Sequence, residues 1–437
     1  MSWPETTTRL PDGRLAIGGL PLADLANEYG TPLYVFDEAT LRSRARSIRG
    51  AFSAAWPNSR VVYAAKAYIG PMIGSILEQE QIGLDVASGG ELYAGLQAGM
   101  PAANMTFHGN NKGVDELREA LVAGVGLIAV DNDHEIELLA RLAAEGLGPI
   151  RIVLRLNPGL APHTHHKMRT GALDSKFGLP IATGAAMAAA RRAIQAGFDL
   201  RGYHAHVGSQ IFDPDLVRAT ISALLAFAAE VRDDLSVVPI TIVPGGGFGV
   251  ADDASGNDVS IAAWADAAAE ALREGCARHN LGEPELVVEP GRAIVGPAGV
   301  ALYRVGARKA IPGVRTYVSV DGGMADNIRP SLYGARYSAA LANRAGAGER
   351  ETVTIAGKYC ESGDVLIEDI DLPRLRADDV LAVPMAGAYC LAMASNYNMA
   401  PRPAAVMVTD GAVRLFRRRE TYADMLAAEV TPLSVVR

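Results

Sequence analysis

The sequence predicts a (β/α)8 barrel followed by a mainly β second domain. Three observations carry this. Between about residues 37 and 295, eight short apolar runs alternate with Ala- and Leu-rich segments of helical period. Each run ends in, or is followed by, reactive or phosphate-cradling residues, which is where barrel enzymes keep their active sites. After Gly296 the helical period gives way to β-type runs split by Gly and Asp turns. A doubly wound open sheet is the alternative, but it would not need functional residues after every strand.

Residues 1–36 alternate short apolar runs with Pro and Gly turns and are expected to join the β domain. The barrel, 37–295, has strands predicted at Val61–Ala65, Gly83–Ala87, Met105–His108, Leu127–Val130, Arg151–Leu156, Leu200–Val207, Pro239–Val243 and Glu285–Val288. Several are continuously apolar, as strands buried on both faces must be. Helical segments lie between them, among them Glu91–Ala98, Asp115–Ala123, Asp133–Ala144, Thr183–Ala196, Asp215–Val231 and Ile261–His279. The second domain, 296–437, is expected to use Val300–Lys309, Arg315–Val320, Glu351–Ala356, Val380–Pro384, Ala404–Thr409 and Ala412–Arg417 as strands, with Leu341–Arg350 as a mobile loop.

A chain of 437 residues is too long for one ordinary core. Its 49% hydrophobic and 21% charged residues suit a soluble globular protein. A net charge of −8 with both signs interspersed argues against nucleic-acid or membrane-surface partners. The apolar run Val380–Ala394 is too short to span a bilayer and is broken by Pro384 and Gly387. The N-terminus lacks the charged and apolar regions of a signal peptide, and Cys276, Cys360 and Cys390 are too few and scattered for a disulfide framework. A cytoplasmic location is therefore expected.

Six lysines stand among 41 basic residues, so Lys66 at the end of an apolar strand stands out. Burial there would lower its pKa and free a nucleophilic amine; the bland reading is a snorkelling strand-end lysine. Pro244-Gly-Gly-Gly-Phe-Gly and Glu289-Pro-Gly-Arg follow the seventh and eighth strands. Their glycines let backbone N–H groups approach a phosphate, and arginine suits bidentate phosphate contact. The ends of strands seven and eight are the usual phosphate position in such barrels. His204 and His206 share one strand face and could be a metal pair, making a zinc amidohydrolase a rival. The later strand ends supply glycines and Glu289 rather than further His ligands, so no metal is expected. His163-Thr-His-His reads as a polar loop. Cys360-Glu-Ser-Gly-Asp364 pairs a candidate proton donor with an acid on a turn; a small apolar filler is the equal alternative for the cysteine.

From about residue 30 to 405 the motifs resemble the fold type III decarboxylases that use pyridoxal 5′-phosphate (PLP). They are Tyr63-Ala-Ala-Lys-Ala, Gly83-Leu-Asp-Val-Ala-Ser-Gly-Gly-Glu-Leu, His108-Gly-Asn-Asn-Lys, Arg155-Leu-Asn-Pro-Gly, Asp174-Ser-Lys-Phe-Gly, His206-Val-Gly-Ser-Gln, Glu289-Pro-Gly-Arg, Asp321-Gly-Gly-Met, Arg329-Pro-Ser-Leu-Tyr, Gly357-Lys-Tyr-Cys-Glu-Ser-Gly-Asp, and Gly387-Ala-Tyr with Ser395-Asn-Tyr-Asn. The resemblance implies PLP as cofactor, held as a Schiff base on Lys66, with His206 stacked on its ring and Glu289 paired with its ring nitrogen. Asp85, Ser209, Gly246, Gly247, Gly291, Arg292 and Tyr389 would complete the cofactor site. Arg292, Arg329, Tyr333, Glu361 and Tyr389 would hold the far end of an amino-acid substrate. Cys360 would donate a proton in the site of a partner subunit, which implies a homodimer with shared active sites. Ala293, Tyr359 and Cys390 depart from the usual family residues and bear on substrate preference.

A distal acid together with distal arginines suits a zwitterionic far end. This favours meso-2,6-diaminopimelate, decarboxylated to L-lysine in the last step of lysine biosynthesis, over ornithine, arginine, lysine or a carrier-bound or modified amino acid. An idle PLP-binding homologue would usually lack the lysine or the Cys–Glu pair, and an alanine-racemase-like enzyme would not need that pair.

Overall fold

The computed structural model describes residues 3–160, 174–250, 260–346 and 348–430, so the His163 cluster lies outside the described residues. Two compact units are present: residues up to Leu41 with those from Val295 onward, and Arg42–Val250 with residues up to Ile294.

The second of these units is the predicted barrel. Its strands are β1 (Ser59–Ala64), β2 (Gly83–Val86), β3 (Met105–Phe107), β4 (Leu127–Val130), β5 (Arg151–Asn157), β6 (Asp199–His204), β7 (Thr241–Gly246) and β8 (Glu285–Glu289). All neighbours are parallel. The ring closes where Leu286 of β8 lies opposite Ser59 of β1. All eight predicted strands are present, with no end moved by more than three residues. β6 stops at His204 rather than Val207, and β7 runs on through Gly246, so two of the loop glycines are strand residues. Gly245 and Gly246 lie opposite Val288 and Glu289 of β8. Apolar side chains of adjacent strands, such as Val62, Val243 and Val287, fill the barrel interior.

The helices form for local reasons. Ser88, Asn132 and Ser260 each accept a backbone N–H three residues on, capping Gly89–Gln97, Asp133–Ala144 and Ile261–His279. Asp215–Leu235 buries Val217, Ile221, Leu224, Leu225 and Ala228 along one stripe at helical spacing.

Behind the strand ends, Lys112 and Glu135 form a fully buried pair. Lys112 Nζ donates to Glu135 Oε2 at 2.8 Å and to the carbonyls of Gly109 and Ala129 at 2.7 Å. Glu135 in turn accepts the backbone N–H groups of Lys112 and Asp131. This ties the loop after β3 to the end of β4.

The other unit is built on one mixed sheet. Its order is Val365–Pro373, Arg350–Ala356, Arg315–Val320, Gly299–Ile311, Leu33–Asp37, Ala404–Thr409, Ala412–Arg417. The N-terminal segment joins it, as expected, and does so near its centre. Leu33–Asp37 pairs antiparallel with Gly299–Ile311 and parallel with Ala404–Thr409, so all five residues are buried. Val365–Pro373 was not expected as a strand; its acidic exposed positions hide the β pattern. The predicted loop at Leu341–Arg350 is tied down at its start. Leu341 pairs with Leu381, and Asn343 and Arg344 both donate to Asp379.

Replacing Lys112 with Met leaves the buried Glu135 carboxylate without its cation. A loss of about 3–5 kcal/mol is expected, read as a lower thermal midpoint; an unchanged midpoint would show that the pair holds nothing.

Candidate active site

Lys66 follows β1 in a short 3-10 turn, Ala65–Ala67. The sequence argument buried it, and the structure corrects this. Val61–Ala65 and Ala67 are buried while Lys66 is exposed. Its amine therefore points out of the apolar wall, within the electrostatic reach of Asp85, Glu91 and His206.

Glu289, the last residue of β8, is 5% exposed. A carboxylate that deep needs partners, and two histidines provide them. His204 Nε2 is hydrogen-bonded to Glu289 Oε2 at 3.1 Å. His108 Nε2 is 3.0 Å from Oε1, an ion-pair contact off the line of a good hydrogen bond, and 3.7 Å from Asp85 Oδ1. The two imidazoles meet edge to face with centroids 4.8 Å apart. Asp131 pairs with Arg155 at 3.5 Å, and the Arg155 guanidinium lies 4.4 Å from the Phe177 ring centroid. Sequence reasoning places His108 at a strand end without a role and gives Arg155 none. Only barrel closure brings residues 85, 108, 155, 204 and 289 together.

The protonation pattern follows from burial and charge. Burial would push Glu289 up, but His108 and His204 hold it well below the usual carboxylate range. Burial drives His204 down to about 4 despite the pull of Glu289. Burial also opposes a proton on His108, yet Asp85 and Glu289 together raise its pKa. His206 is held neutral by burial and then by the charge of Lys66. The Gly246 N–H points at His206 Nδ1 at 3.4 Å, which assigns the ring proton to Nε2.

The ligand atoms of His108, His204 and Glu289 lie within 4.8 Å of one another. Both Nε2 atoms already address Glu289, and the cationic Arg155 acts on the same carboxylate, so the trio reads better as a hydrogen-bonded cluster than as a metal site.

The same strand ends fit an anionic aromatic cofactor. Gly245 and Gly247 adopt φ of +82° and +89°, and a Cβ on Gly246 would come 1.9 Å from the Glu289 carbonyl oxygen. Side chains are excluded there and bare backbone is presented. Gly291 and the buried Arg292 open the short helix Arg292–Val295, and Ser209 is half-buried in the loop after β6.

In the β unit, Arg329 is 2% exposed and its Nη1 donates to Tyr337 Oη at 2.5 Å; that oxygen lies 3.4 Å from Cys390 Sγ. Tyr333 is half-buried, and Tyr389 is half-buried with a left-handed φ of 59°. Cys360 and Glu361 are exposed on a turn organised by the buried Asp364. Asp364 accepts the N–H groups of Met324 and Tyr359 at 2.6 and 2.8 Å.

The chain is similar to known proteins along nearly its whole length. A family model described as "Pyridoxal-dependent decarboxylase, pyridoxal binding domain" matches residues 38–296. The chain is 45% identical to the diaminopimelate decarboxylase of Bacillus subtilis over 97% of each chain. It is 43% identical to that of Bacillus methanolicus, over 96% of this chain and 98% of the relative. A solved diaminopimelate decarboxylase from M. jannaschii, in complex with L-lysine, is 32% identical with a TM-score of 0.91, covering 98% and 99% of the two chains.

Histidine side-chain NMR tests the protonation pattern. Between about pH 5 and pH 8 the His204 imidazole is expected to stay neutral, while His108 titrates above the ordinary value near 6.5. Because His204 is lowered on folding, the unfolded chain takes up its proton first. Its contribution to stability is full above about pH 6.5 and is lost as pH falls towards about 4. A His204 signal protonated at pH 6 contradicts the assignment.

Proposed function

This chain belongs to the pyridoxal-dependent decarboxylase family, and we propose that it removes one carboxylate of meso-2,6-diaminopimelate, leaving L-lysine and CO2. The observation that carries the substrate is near-full-length similarity, at 45% identity, to a diaminopimelate decarboxylase. The L-lysine held by the M. jannaschii relative suits the product. Retention of Lys66, Cys360 and Glu361 argues against an idle homologue.

PLP is the cofactor, supplying an aldehyde for the substrate amine and a ring that takes up the electron pair left by departing CO2. Lys66 would hold it, and its exposure suits an amine that must meet an incoming carbonyl. Glu289 would serve the ring nitrogen, where a buried carboxylate favours a proton, and neutral His206 would serve the ring. Asp85 adds negative charge beside His108 and Glu289. Ser209, Gly246, Gly247, Gly291, Arg292 and Tyr389 surround the phosphate.

Substrate selection rests on the far end. Glu361 receives the distal ammonium, and Arg292 and Arg329 receive the distal carboxylate beside Tyr333 and Tyr389. A decarboxylase that forms a simple diamine has no use for those arginines. The Cys360 thiol gives its proton to the carbon that has lost CO2, and the thiolate recovers a proton from water. Exposure of Cys360 and Glu361 suits residues that serve the barrel of a second copy, so the working unit is proposed to be a homodimer with shared sites. No described helix is long and apolar enough to cross a membrane, and a cytoplasmic location completes the proposal.

CO2 release from meso-diaminopimelate is expected to exceed that from lysine, ornithine or arginine by at least about a hundredfold in kcat/KM. Equal release from ornithine would move the assignment to a diamine-forming relative. Cys360→Ala is expected to lose about 10²–10⁴-fold in turnover. Mixing it with inactive Lys66→Ala is expected to restore about a quarter of wild-type activity. Half the dimers are then hybrids with one intact site. No restored activity on mixing rules out shared sites.

A further inference from the structure

Glu289 is held more elaborately than burial alone requires. One cation would neutralise a buried carboxylate. Here each oxygen has its own imidazole, Oε1 with His108 and Oε2 with His204. The rings come from different strands and brace one another at 4.8 Å. Each is anchored in turn. The backbone N–H of His108 donates to Val86 at 2.7 Å. His204 ends β6 in register with Arg155 and Val243. The carboxylate can neither rotate nor change oxygens without breaking one contact.

We propose that His108 and His204 are a pair of positioning residues that clamp Glu289 in one orientation and as an anion, so that it holds the proton on the ring nitrogen of bound PLP. The proposal rests on the cofactor reading above. A carboxylate has about four acceptor directions, and the two histidine contacts leave at least two of them open. One of these meets the ring N–H. Freed of the clamp, Glu289 could turn away or take up a proton itself, and the ring nitrogen would lose its partner. The charges around the cluster are Asp85, Arg155, His206 and Lys66. Arg155 and Lys66 balance Asp85 and Glu289, so a net positive field does not fix the carboxylate. The two imidazole contacts do.

The test uses holoenzyme reconstituted with PLP labelled with 15N at the ring, whose chemical shift reports protonation of that nitrogen directly. Wild type is expected to show the protonated position. His108→Ala and His204→Ala are expected to move it towards the unprotonated position and to weaken PLP binding by about tenfold or more. His204→Gln and His108→Gln, which restore an N–H donor, are expected to return both readouts towards wild type. If an alanine variant does not fold, His204→Met or His108→Met keeps the volume without the donor and takes its place. An unchanged 15N position in a folded Ala or Met variant overturns the clamp. So does a Gln variant that behaves like Ala. Borohydride trapping of PLP on the Lys66 peptide of wild type tests the cofactor reading separately. If trapping fails, that reading falls; if trapping succeeds and the 15N shift does not move, only the clamp falls.

Discussion

The buried Glu289 carboxylate is the constraint on which the site depends. An isolated charge at 5% exposure would neutralise itself or unfold its surroundings. It is tolerated because the barrel closes. Parallel strands ending on one rim bring His108 and His204 to within hydrogen-bonding distance of a residue far from both in sequence. Closure between β8 and β1 then sets Lys66 on that rim, and Ala64 at the end of β1 donates its N–H to Pro290, one residue past Glu289. The backbone just before Lys66 and that just after Glu289 are thus joined by one hydrogen bond at the seam.

Outside the central cluster lies a second layer of buried charge, and its arrangement explains why the first is ordered. Lys112 is locked between Glu135 and two carbonyls, Glu135 accepts the Asp131 N–H, and Asp131 meets Arg155 and the N–H of Gly178. In this layer Lys112 meets Glu135 and Arg155 meets Asp131, so these strand ends are held by buried pairs rather than by exposed bridges that salt would screen.

The fold was legible because its signals are local. Strands buried on both faces, such as Leu127–Val130 and most of Ala404–Thr409, read as unbroken apolar runs, and these agree with expectation to the residue, as do the more exposed Arg315–Val320 and Ala412–Arg417 between their turn signals. Val365–Pro373 escaped because Glu368, Asp369 and Asp371 sit on it, and a half-exposed strand with acids loses its alternation. At the site, the glycine loops and Lys66 were visible as motifs. The burial assigned to Lys66 was wrong because a strand-end position does not say which way the side chain leaves the turn. His108 and Arg155 carry no local signal of function. Their meaning comes from partners at other strand ends, Glu289 for His108 and Asp131 for Arg155, which no periodicity encodes. His204 was visible only as half of a candidate metal pair that was set aside, since spacing shows a shared face and not the carboxylate that face will meet.

The β unit solves a different problem, that of presenting Cys360 and Glu361 to solvent on a defined backbone. Exposed turns are ordinarily loose. This one is built on Asp364, which is 4% exposed and receives the N–H groups of Met324 and Tyr359 from two separate segments. Room for that carboxylate exists only because Gly357 and Gly323 have no side chains; a Cβ at either would come within 2.1 or 2.4 Å of it. Asn398, itself in a left-handed conformation, adds an acceptor for the Cys360 N–H at 3.0 Å. The turn is therefore fixed at its base while its reactive side chains stay uncovered. That is the arrangement a proton donor needs if its target belongs to another copy of the chain. A base that is already rigid would spare the conformational entropy that ordering it on any association would cost. The same logic governs the clamp on Glu289. In both units a buried carboxylate is held by its neighbours while a side chain nearby, Lys66 or Cys360, stays exposed.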